Sequence, residues 1–257
     1  MSKHFFDSEA WAPLAKALEA YSLGDRRAVL IVHSDAGEPE TMEVGLFFRD
    51  REELREADRE ELRRVRGRVL DVGAGVGCMS LILHDEGFRV TAVEMIPEAV
   101  EIMRARGVED IWEGSVEEME PSGGFDTLLL IMNGTAIAGT LAGFPRLLGA
   151  LGCLLAPGGQ ILLDSTDIRS RRPPPGQANG SAPQGSGDVG EYPGELVYQM
   201  EFRGEKGTPF PQLFLDPETL EILAKEEGFR TEIVWAGVEG EYLARLERGG
   251  EEAAVLE

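Results

Sequence analysis

The chain of 257 residues is short of lysine, cysteine and histidine, and each shortage removes a class of function. Lysine occurs only at Lys3, Lys16, Lys206 and Lys225, and no basic run is present. With 47 acidic residues against 25 basic ones, the net charge is −22. Such a field repels a phosphate polymer, so nucleic acid is not expected as a partner. Cys78 and Cys153 have no Cys or His neighbour at zinc-site spacing. No metal centre is expected, and two reduced thiols fit better than a disulfide. No stretch of about 18 uncharged apolar residues occurs, which predicts no membrane span. Residues 1–11 lack a basic region followed by an apolar run, so no secretory signal is expected and the predicted location is cytoplasmic. Scarce lysine beside abundant carboxylate is also the composition of a protein suited to high salt. That is a hypothesis, and a stability unchanged from low to molar KCl would refute it.

Apolar residues make up 42% of the chain, enough for a full core. Residues 5–22 carry Phe5, Phe6, Trp11, Leu14, Leu18 and Tyr21 at helical spacing, with a start near Ser8 and Pro13 in the first turns. Two β-like runs follow, 28–33 and 41–48, with a turn-like stretch 34–40 between them. Phe47 and Phe48 are expected on opposite faces of the second run. Residues 50–66 are heavily charged and read as a surface helix. From residue 67 strands alternate with helices: strand 68–72, helix 79–86, strand 88–94, helix 97–106, a short strand at 111–112, strand 125–132, helix 141–155 and strand 160–164. That alternation predicts an α/β fold with a doubly wound, mostly parallel sheet. The stretch 170–194 is rich in Pro, Gly and Ser and reads as an insertion or a lid over the ligand. Two more β runs, 195–202 and 210–215, a helix at 217–227 and a closing antiparallel pair, 230–236 and 242–246, complete the chain.

The most informative segment is Asp71-Val72-Gly73-Ala74-Gly75-Val76-Gly77, where a strand ends, glycines alternate and a helix begins. Glycine lets the backbone turn sharply and lets a ligand press where a Cβ would clash, and the helix N–H groups point at that ligand. A dinucleotide loop has G-x-G-x-x-G, but here the third position is Cys78. Glu94 ends the next strand, 21 residues beyond Gly73, where a carboxylate can accept from both ribose hydroxyls.

The G-x-G-x-G loop behind Asp71 resembles the first motif of class I S-adenosylmethionine-dependent methyltransferases. Phe125-Asp126, Leu155-Ala156-Pro157-Gly158-Gly159 and the Gly228-Phe229 region also look like that family, over roughly residues 67–168 and 213–247. The arrangement is similar to a group of bacterial methyltransferase-like proteins. The resemblance implies a seven-stranded Rossmann-like sheet carrying an N-terminal helix-hairpin cap and an inserted β pair. It also implies S-adenosylmethionine as cofactor and a small-molecule methyl acceptor. The expected divisions are a cap at 1–66, a cofactor-binding core at 67–168, an insertion at 169–194, and the inserted β pair with the last core elements at 195–257. Cofactor contacts are expected from Asp71, Gly73, Ala74, Gly75, Gly77, Glu94, Met95, Ser115, Val116 and Asn133. Glu94 would take the ribose and Met95 the adenine. Ser115 stands where the family usually has an acid, so that contact departs from the pattern.

Methyl transfer from a sulfonium needs alignment above all, and a general base is optional. Ile131-Met132-Asn133-Gly134 lacks the Pro-Pro-aromatic signature of methylases acting on nucleobase or glutamine amino groups. Asn133 and Asp164 are the candidate catalytic groups, Asn133 as an orienting amide or a cap, Asp164 as a base or a binder of the acceptor. Asp167, His33, Tyr192, Glu195 and Tyr198 are secondary candidates for the acceptor pocket. Three rivals remain: a cofactor-binding scaffold without catalysis, an aminopropyl transferase and a nicotinamide dehydrogenase.

Overall fold

The computed structural model describes residues 7–120, 124–169 and 192–249. Phe5, Phe6 and most of the Pro/Gly/Ser-rich stretch, 170–191, lie outside them.

Helix α1 (Ser8–Ser22) starts where Asp7 accepts from the amides of Glu9 and Ala10, satisfying two of the donors a helix start leaves open. Strands β1 (Val29–Ser34) and β2 (Gly37–Glu43) form a hairpin whose turn is only Asp35-Ala36, not the longer 34–40 stretch. Pro39 is tolerated inside β2 because β2 is the edge strand of its sheet. The expected continuation to residue 48 does not form. Gly45 lies so close to Tyr21 that a Cβ there would stand 3.1 Å from the tyrosine hydroxyl, and residues 44–47 wind into a 3₁₀ turn. Phe47 and Phe48 therefore pack into one cluster instead of facing opposite ways.

The main sheet is built from β3 (Arg68–Val72), β4 (Arg89–Glu94), β5 (Ile111–Glu113), β6 (Phe125–Leu130) and β7 (Leu155–Thr166), with the C-terminal strands β11 (Phe229–Ala236) and β12 (Glu241–Arg248). Its order is β11-β12-β7-β6-β3-β4-β5, all parallel from β7 to β5, with β12 antiparallel to both neighbours. Three further helices, α2 (Glu56–Leu62), α3 (Cys78–Asp85) and α4 (Pro97–Arg106), precede α5 (Phe144–Leu154) and α6 (Pro217–Glu226) in the chain. One face of the sheet packs Leu70, Leu128, Leu130 and Leu163 against α5 and α6. The opposite face packs Val69, Leu129 and Leu162 against Leu83 of α3 and Leu62 of α2. The sheet is thus the expected doubly wound, mostly parallel one of seven strands.

The second sheet contains β8 (Glu195–Phe202), β9 (Glu205–Lys206) and β10 (Phe210–Leu213) in addition to the hairpin. Its order is β10-β8-β1-β2, with β9 beside β8. The N-terminal hairpin and the inserted β pair, read as two attachments, are joined through β1 and β8, where Ile31 faces Glu201 and Ser34 faces Tyr198. Helix α1 lies between this sheet and α4, burying Leu14 and Leu18 with Leu30 and Phe202 on one side and Val76, Ile96 and Ala99 on the other. The cap is therefore packed directly on α4, the helix that follows β4, and on Val76 of the glycine loop.

The charged stretch 50–66 is not a surface helix. Only Glu56–Leu62 is α-helical, and it carries Asp58 and Glu61 at 0% exposure. The helix expected at 141–155 begins with a 3₁₀ turn, and β6 ends at Leu130 instead of Met132 because Met132 and Asn133 take left-handed conformations (φ 60° and 65°). Among the described residues, no helix is long and apolar enough to cross a membrane.

Candidate functional site

The glycine loop lies at the carboxyl ends of β3 and β4. Gly73, Gly75 and Gly77 have φ of 74°, 58° and 79°, values that L side chains rarely adopt. The loop is fastened from below: the amides of Gly73 and Ala74 donate to Val93 O at 2.9 and 3.0 Å, and Gly77 donates to Ala74 O at 2.9 Å. Asp71 lies buried under the loop, and Ser80 of α3 donates to its carboxylate at 2.6 Å. Burial pushes its pKa up to about 6 against the opposing pull of Ser80. Asp71 therefore ties β3 to α3 and shapes the loop.

Glu94 closes the other side. One carboxylate oxygen accepts from Gly75 N at 2.8 Å, and the other accepts from Met95 N and Ile96 N at 2.7 and 2.8 Å. Burial raises its pKa, and the three amides oppose the rise. Met95 is half-buried beside it. Ser115 caps a short turn by accepting from Glu117 N at 3.2 Å, Val116 is buried in the core, and Gly114 N bonds Glu94 O at 2.9 Å. Gly75, Met95 and the 114–116 turn are thus linked through Glu94, with backbone or side-chain contacts at each step.

Two apolar side chains frame the loop: Ile137, which the sequence did not single out, and Phe47, one of the two phenylalanines noted at the end of the second β-like run. Ile137, 40% exposed in the turn after β6, stands 3.2 Å from where a Cβ on Gly73 would sit. Phe47 stands 4.0 Å from the same point on Gly75, which otherwise opens onto free space. Phe48 stacks on Tyr21 at 4.5 Å between ring centroids, with Arg106 on its ring, and Arg106 in turn donates to Val76 O at 2.6 Å. The cap thereby holds the loop in place.

The β6 end is a second, strained fixture. Two successive non-glycine residues at positive φ cost free energy, of order 1–3 kcal/mol each, and need support. Asn133 supplies it: Nδ2 donates to Leu213 O at 3.0 Å, and the hydroxyls of Thr135 and Ser165 lie 3.0 Å from Oδ1. The Asn133 side chain thus bolts the β6 turn to β10 of the second sheet, and it makes no capping hydrogen bond to the 3₁₀ turn that follows it. Asp164, at the carboxyl end of β7, accepts from Gly134 N at 3.0 Å, and burial pushes its pKa up to about 6. The structure brings Asn133, Asp164 and Ser165 together, but on the β6–β7 side of the loop, away from Glu94.

Facing Asp164 is a group of charges that the sequence reading missed. Asp58 accepts from Arg55 Nη2 at 2.6 Å and from Arg55 N at 3.0 Å, and Arg49 Nη2 stands 3.1 Å away. Arg55 Nη2 lies 4.0 Å from Asp164 Oδ2. Both oxygens of Glu61, and Nε and Nη1 of Arg49, are buried with no hydrogen-bond partner among the described residues. Burial, then the charges of Asp164 and Asp58, raises the Glu61 pKa well above the usual carboxylate range. A signal was available: Asp58 and Glu61 fall in the apolar stripe of Leu54, Leu62 and Val65, at the positions that face the core.

The secondary candidates are dispersed. His33 pairs with Glu201 at 2.8 Å on the second sheet. Asp167 pairs with Arg169 at 2.8 Å. Tyr192 donates to Asp216 at 2.7 Å near the start of α6, and Glu195 accepts from Leu141 N. Tyr198 belongs to an aromatic group with Phe210 and Phe214, at centroid distances of 6.3 and 6.1 Å, and Trp11 stacks on Phe210 at 4.8 Å. Among the described residues no cluster of His, Cys, Asp or Glu is arranged to hold a metal. A groove of about 420 Å³ lined by Arg68, His84, Phe88 and Asp110 opens at the amino ends of β3 and β4, the far end from the loop.

The methyltransferase-domain family matches residues 47–232, from Phe47 to the middle of β11. A crystal structure of an S-adenosylmethionine-dependent methyltransferase from Bacteroides fragilis, in complex with S-adenosyl-L-homocysteine, is 32% identical. The match covers 94% of this chain and 96% of that one, with a TM-score of 0.82. The chain belongs to the class I S-adenosylmethionine-dependent methyltransferases. A ubiquinone biosynthesis O-methyltransferase from Xanthomonas oryzae pv. oryzae is 33% identical over 105 residues, 38% of this chain and 42% of that protein. The match thus spans less than half the length of such curated relatives. The amino pentose methyltransferase CalS10 of Micromonospora echinaspora shares the fold at 19% identity, with a TM-score of 0.52 over 75% of this chain and 88% of that one.

S-adenosylmethionine is the cofactor of this family, and the loop's geometry fits it. The Cβ position of Gly75 opens into a cradle bounded by Phe47, and a carboxylate stands at the end of β4 beside it.

Proposed function

We propose that this methyltransferase transfers a methyl group to a small-molecule acceptor held between the glycine-loop corner and the second sheet. The observation that carries this reading is the framed loop: positive-φ glycines, Glu94 beside them, and Phe47 and Ile137 closing on either side. The cofactor supplies a methyl group already activated on a sulfonium, ready for in-line displacement. The protein's work is then to orient and to exclude water, which can supply several kcal/mol, up to roughly 7–11. Gly73, Ala74, Gly75 and Gly77 form the cradle, and Asp71 holds its shape from beneath. Glu94 takes the ribose hydroxyls, Met95 and Val116 flank the adenine, and Ser115 offers a hydroxyl where relatives carry an acid. Asn133 acts as a positioning residue that fixes the β6 turn. The acceptor's proton is lost to solvent or to a carboxylate at the β7 end, where Asp164 is the nearest.

Titration calorimetry with S-adenosylhomocysteine tests the reading, with Gly75→Arg as the blocked control. Micromolar binding by the wild type and none by the folded variant supports it. A well-folded wild type that ignores the ligand sinks it. The non-catalytic alternative is separated by transfer of labelled methyl groups to a panel of amine, hydroxyl and carboxylate acceptors.

A further inference from the structure

We infer that the methyl acceptor is an amine, held against the aromatic rings that Tyr198 and Phe214 present on the second sheet. This rests on the acceptor reading above and names the chemical class that reading leaves open.

The first observation is a group of rings that no core claims. Tyr198 of β8 stands opposite Phe210 of β10, so both side chains leave the same face of the sheet. The Tyr198 ring lies 6.3 Å from Phe210 and 6.1 Å from Phe214 between centroids, and Trp11 closes on Phe210 at 4.8 Å. Tyr198 and Phe214 stay half-buried and join none of the hydrophobic clusters of the described residues. Among those residues the Tyr198 hydroxyl makes no hydrogen bond, although the hydroxyl of a packed tyrosine usually finds a partner.

The second observation is position. Met200, two residues along β8 and on the same face as Tyr198, packs into the α1 cluster that contains Val76 of the glycine loop. On the other flank, Asn133 and Thr135 bond Leu213 O, one residue before Phe214. Ile137 of that same turn reaches Gly73. The aromatic group is thus held from both flanks by elements that touch the glycine loop.

The third observation is charge. Burial, then the charges of Glu40 and Asp35, push the Tyr198 hydroxyl up to about 12. Glu40 lies opposite Val32, and Val32 opposite Met200, so the exposed Glu40 shares the face of Tyr198. Arginines sit on the rings of Tyr21, Phe125, Phe48, Phe202 and Phe229. Among the described residues none sits on Trp11, Tyr198, Phe210 or Phe214. Ring faces bordered by carboxylates, with no cation of the protein's own upon them, attract an organic cation. An anionic acceptor would meet the negative ring faces in a chain of net charge −22.

The reaction uses the same complementarity. The bound ammonium gives up one proton to water or to Asp164, because only the neutral nitrogen has a lone pair. That pair forms the new C–N bond as the C–S bond breaks, and the electrons of the broken bond stay on sulfur. Nitrogen gains positive charge in the transition state, where ring faces and carboxylates act more strongly than on the neutral amine.

Three probes with one ring and different heads test the inference: benzylamine, benzyl alcohol and benzoate. Each is titrated at pH 8 into the full chain loaded with S-adenosylhomocysteine and followed by ligand-observed NMR. The wild type is expected to bind benzylamine at least about 5-fold more tightly than the other two, the scale of a cation–π contact. Tyr198→Leu and Phe214→Leu should lose that preference while S-adenosylhomocysteine still binds, which also shows that they fold. Tyr198→Phe keeps the ring and should keep the preference. A wild type that ignores benzylamine, or a preference unchanged in both leucine variants, overturns the inference. Binding that weakens in the leucine variants but shows no preference for the amine overturns the amine class and leaves the acceptor position standing. A wild type that fails to bind S-adenosylhomocysteine sinks the cofactor reading and this inference with it.

Discussion

The two ends of the site are built on opposite principles. At the β3–β4 corner, the carboxylate of Glu94 meets the backbone amides of Met95 and Ile96 beside it and of Gly75 one βαβ unit back, and the loop amides pair with Val93 O. At the β6–β7 corner, Asp58, Glu61, Asp164, Arg49 and Arg55 come from two distant segments, and several of their polar atoms have no partner. Burying charge is costly unless each group is paired and hydrogen-bonded. The first corner meets that condition with local backbone geometry. The second meets it only in part, so it is held together by the tertiary packing around it and not by local backbone geometry.

Breaking the second corner should therefore cost more than breaking the first. Asp58→Ala leaves two arginines without their anchor and should destabilise the fold by about 3–5 kcal/mol, read from urea unfolding. A loss below about 1 kcal/mol would mean that Arg49 and Arg55 find other partners. At the first corner, Glu94→Gln turns one acceptor into a donor against a backbone amide, costing about 1–3 kcal/mol. It should also weaken S-adenosylhomocysteine and methylthioadenosine alike, because it acts on the nucleoside half.

The Glu61 change has the opposite sign. Glu61→Leu removes a buried carboxyl with unsatisfied oxygens and should stabilise the protein by about 1–3 kcal/mol near neutral pH. Its pKa is raised in the folded state, so below the unfolded value of about 4.5 both states hold the proton. As pH rises above that, the unfolded chain releases its proton first and the wild type loses stability relative to the variant. The gap between the two unfolding curves should therefore be smallest near pH 4 and widen toward neutrality. A gap independent of pH would show that Glu61 titrates like a solvated group. Asp164, faced by Arg55, Asp58 and Glu61 of the α2 region, has its pKa pushed up to about 6. If Asp164 takes the acceptor's proton, methyl transfer should decline as pH falls through about 6, read from the pH profile of labelled-methyl transfer, while S-adenosylhomocysteine binding holds. The smallest effect is expected at the far end of the molecule. His84→Ala, exposed beside the groove at the amino ends of the strands, should change stability by less than about 0.5 kcal/mol and binding not at all.

Much of the first corner was readable from the order of residues. Gly73, Gly75 and Gly77 at alternate positions between a strand and a helix can serve few purposes, since L side chains rarely adopt their φ values. Glu94 follows from the period of one βαβ unit. The run of strands and helices from Arg68 to Leu246 was likewise legible, because buried parallel strands are short apolar runs bounded by glycine. The second corner was not read. A stretch with the charge density of 50–66 looks solvated, and only the placement of Asp58 and Glu61 within the stripe of Leu54, Leu62 and Val65 hints otherwise.

What local pattern settled, then, is the doubly wound sheet, the glycine cradle and the carboxylate beside it, because each depends on backbone conformation and on spacing within some 30 residues. Tertiary packing alone decided the rest. The hairpin at 29–43 joins the strand at 195–202 across more than 150 residues to make one sheet. Phe47 comes to rest over Gly75, and an arginine in a charged loop is fixed opposite Asp164. No periodicity encodes such contacts. They arise when the cap, helix α2 and the core bury their apolar faces together and the charges between them must settle wherever that burial leaves room.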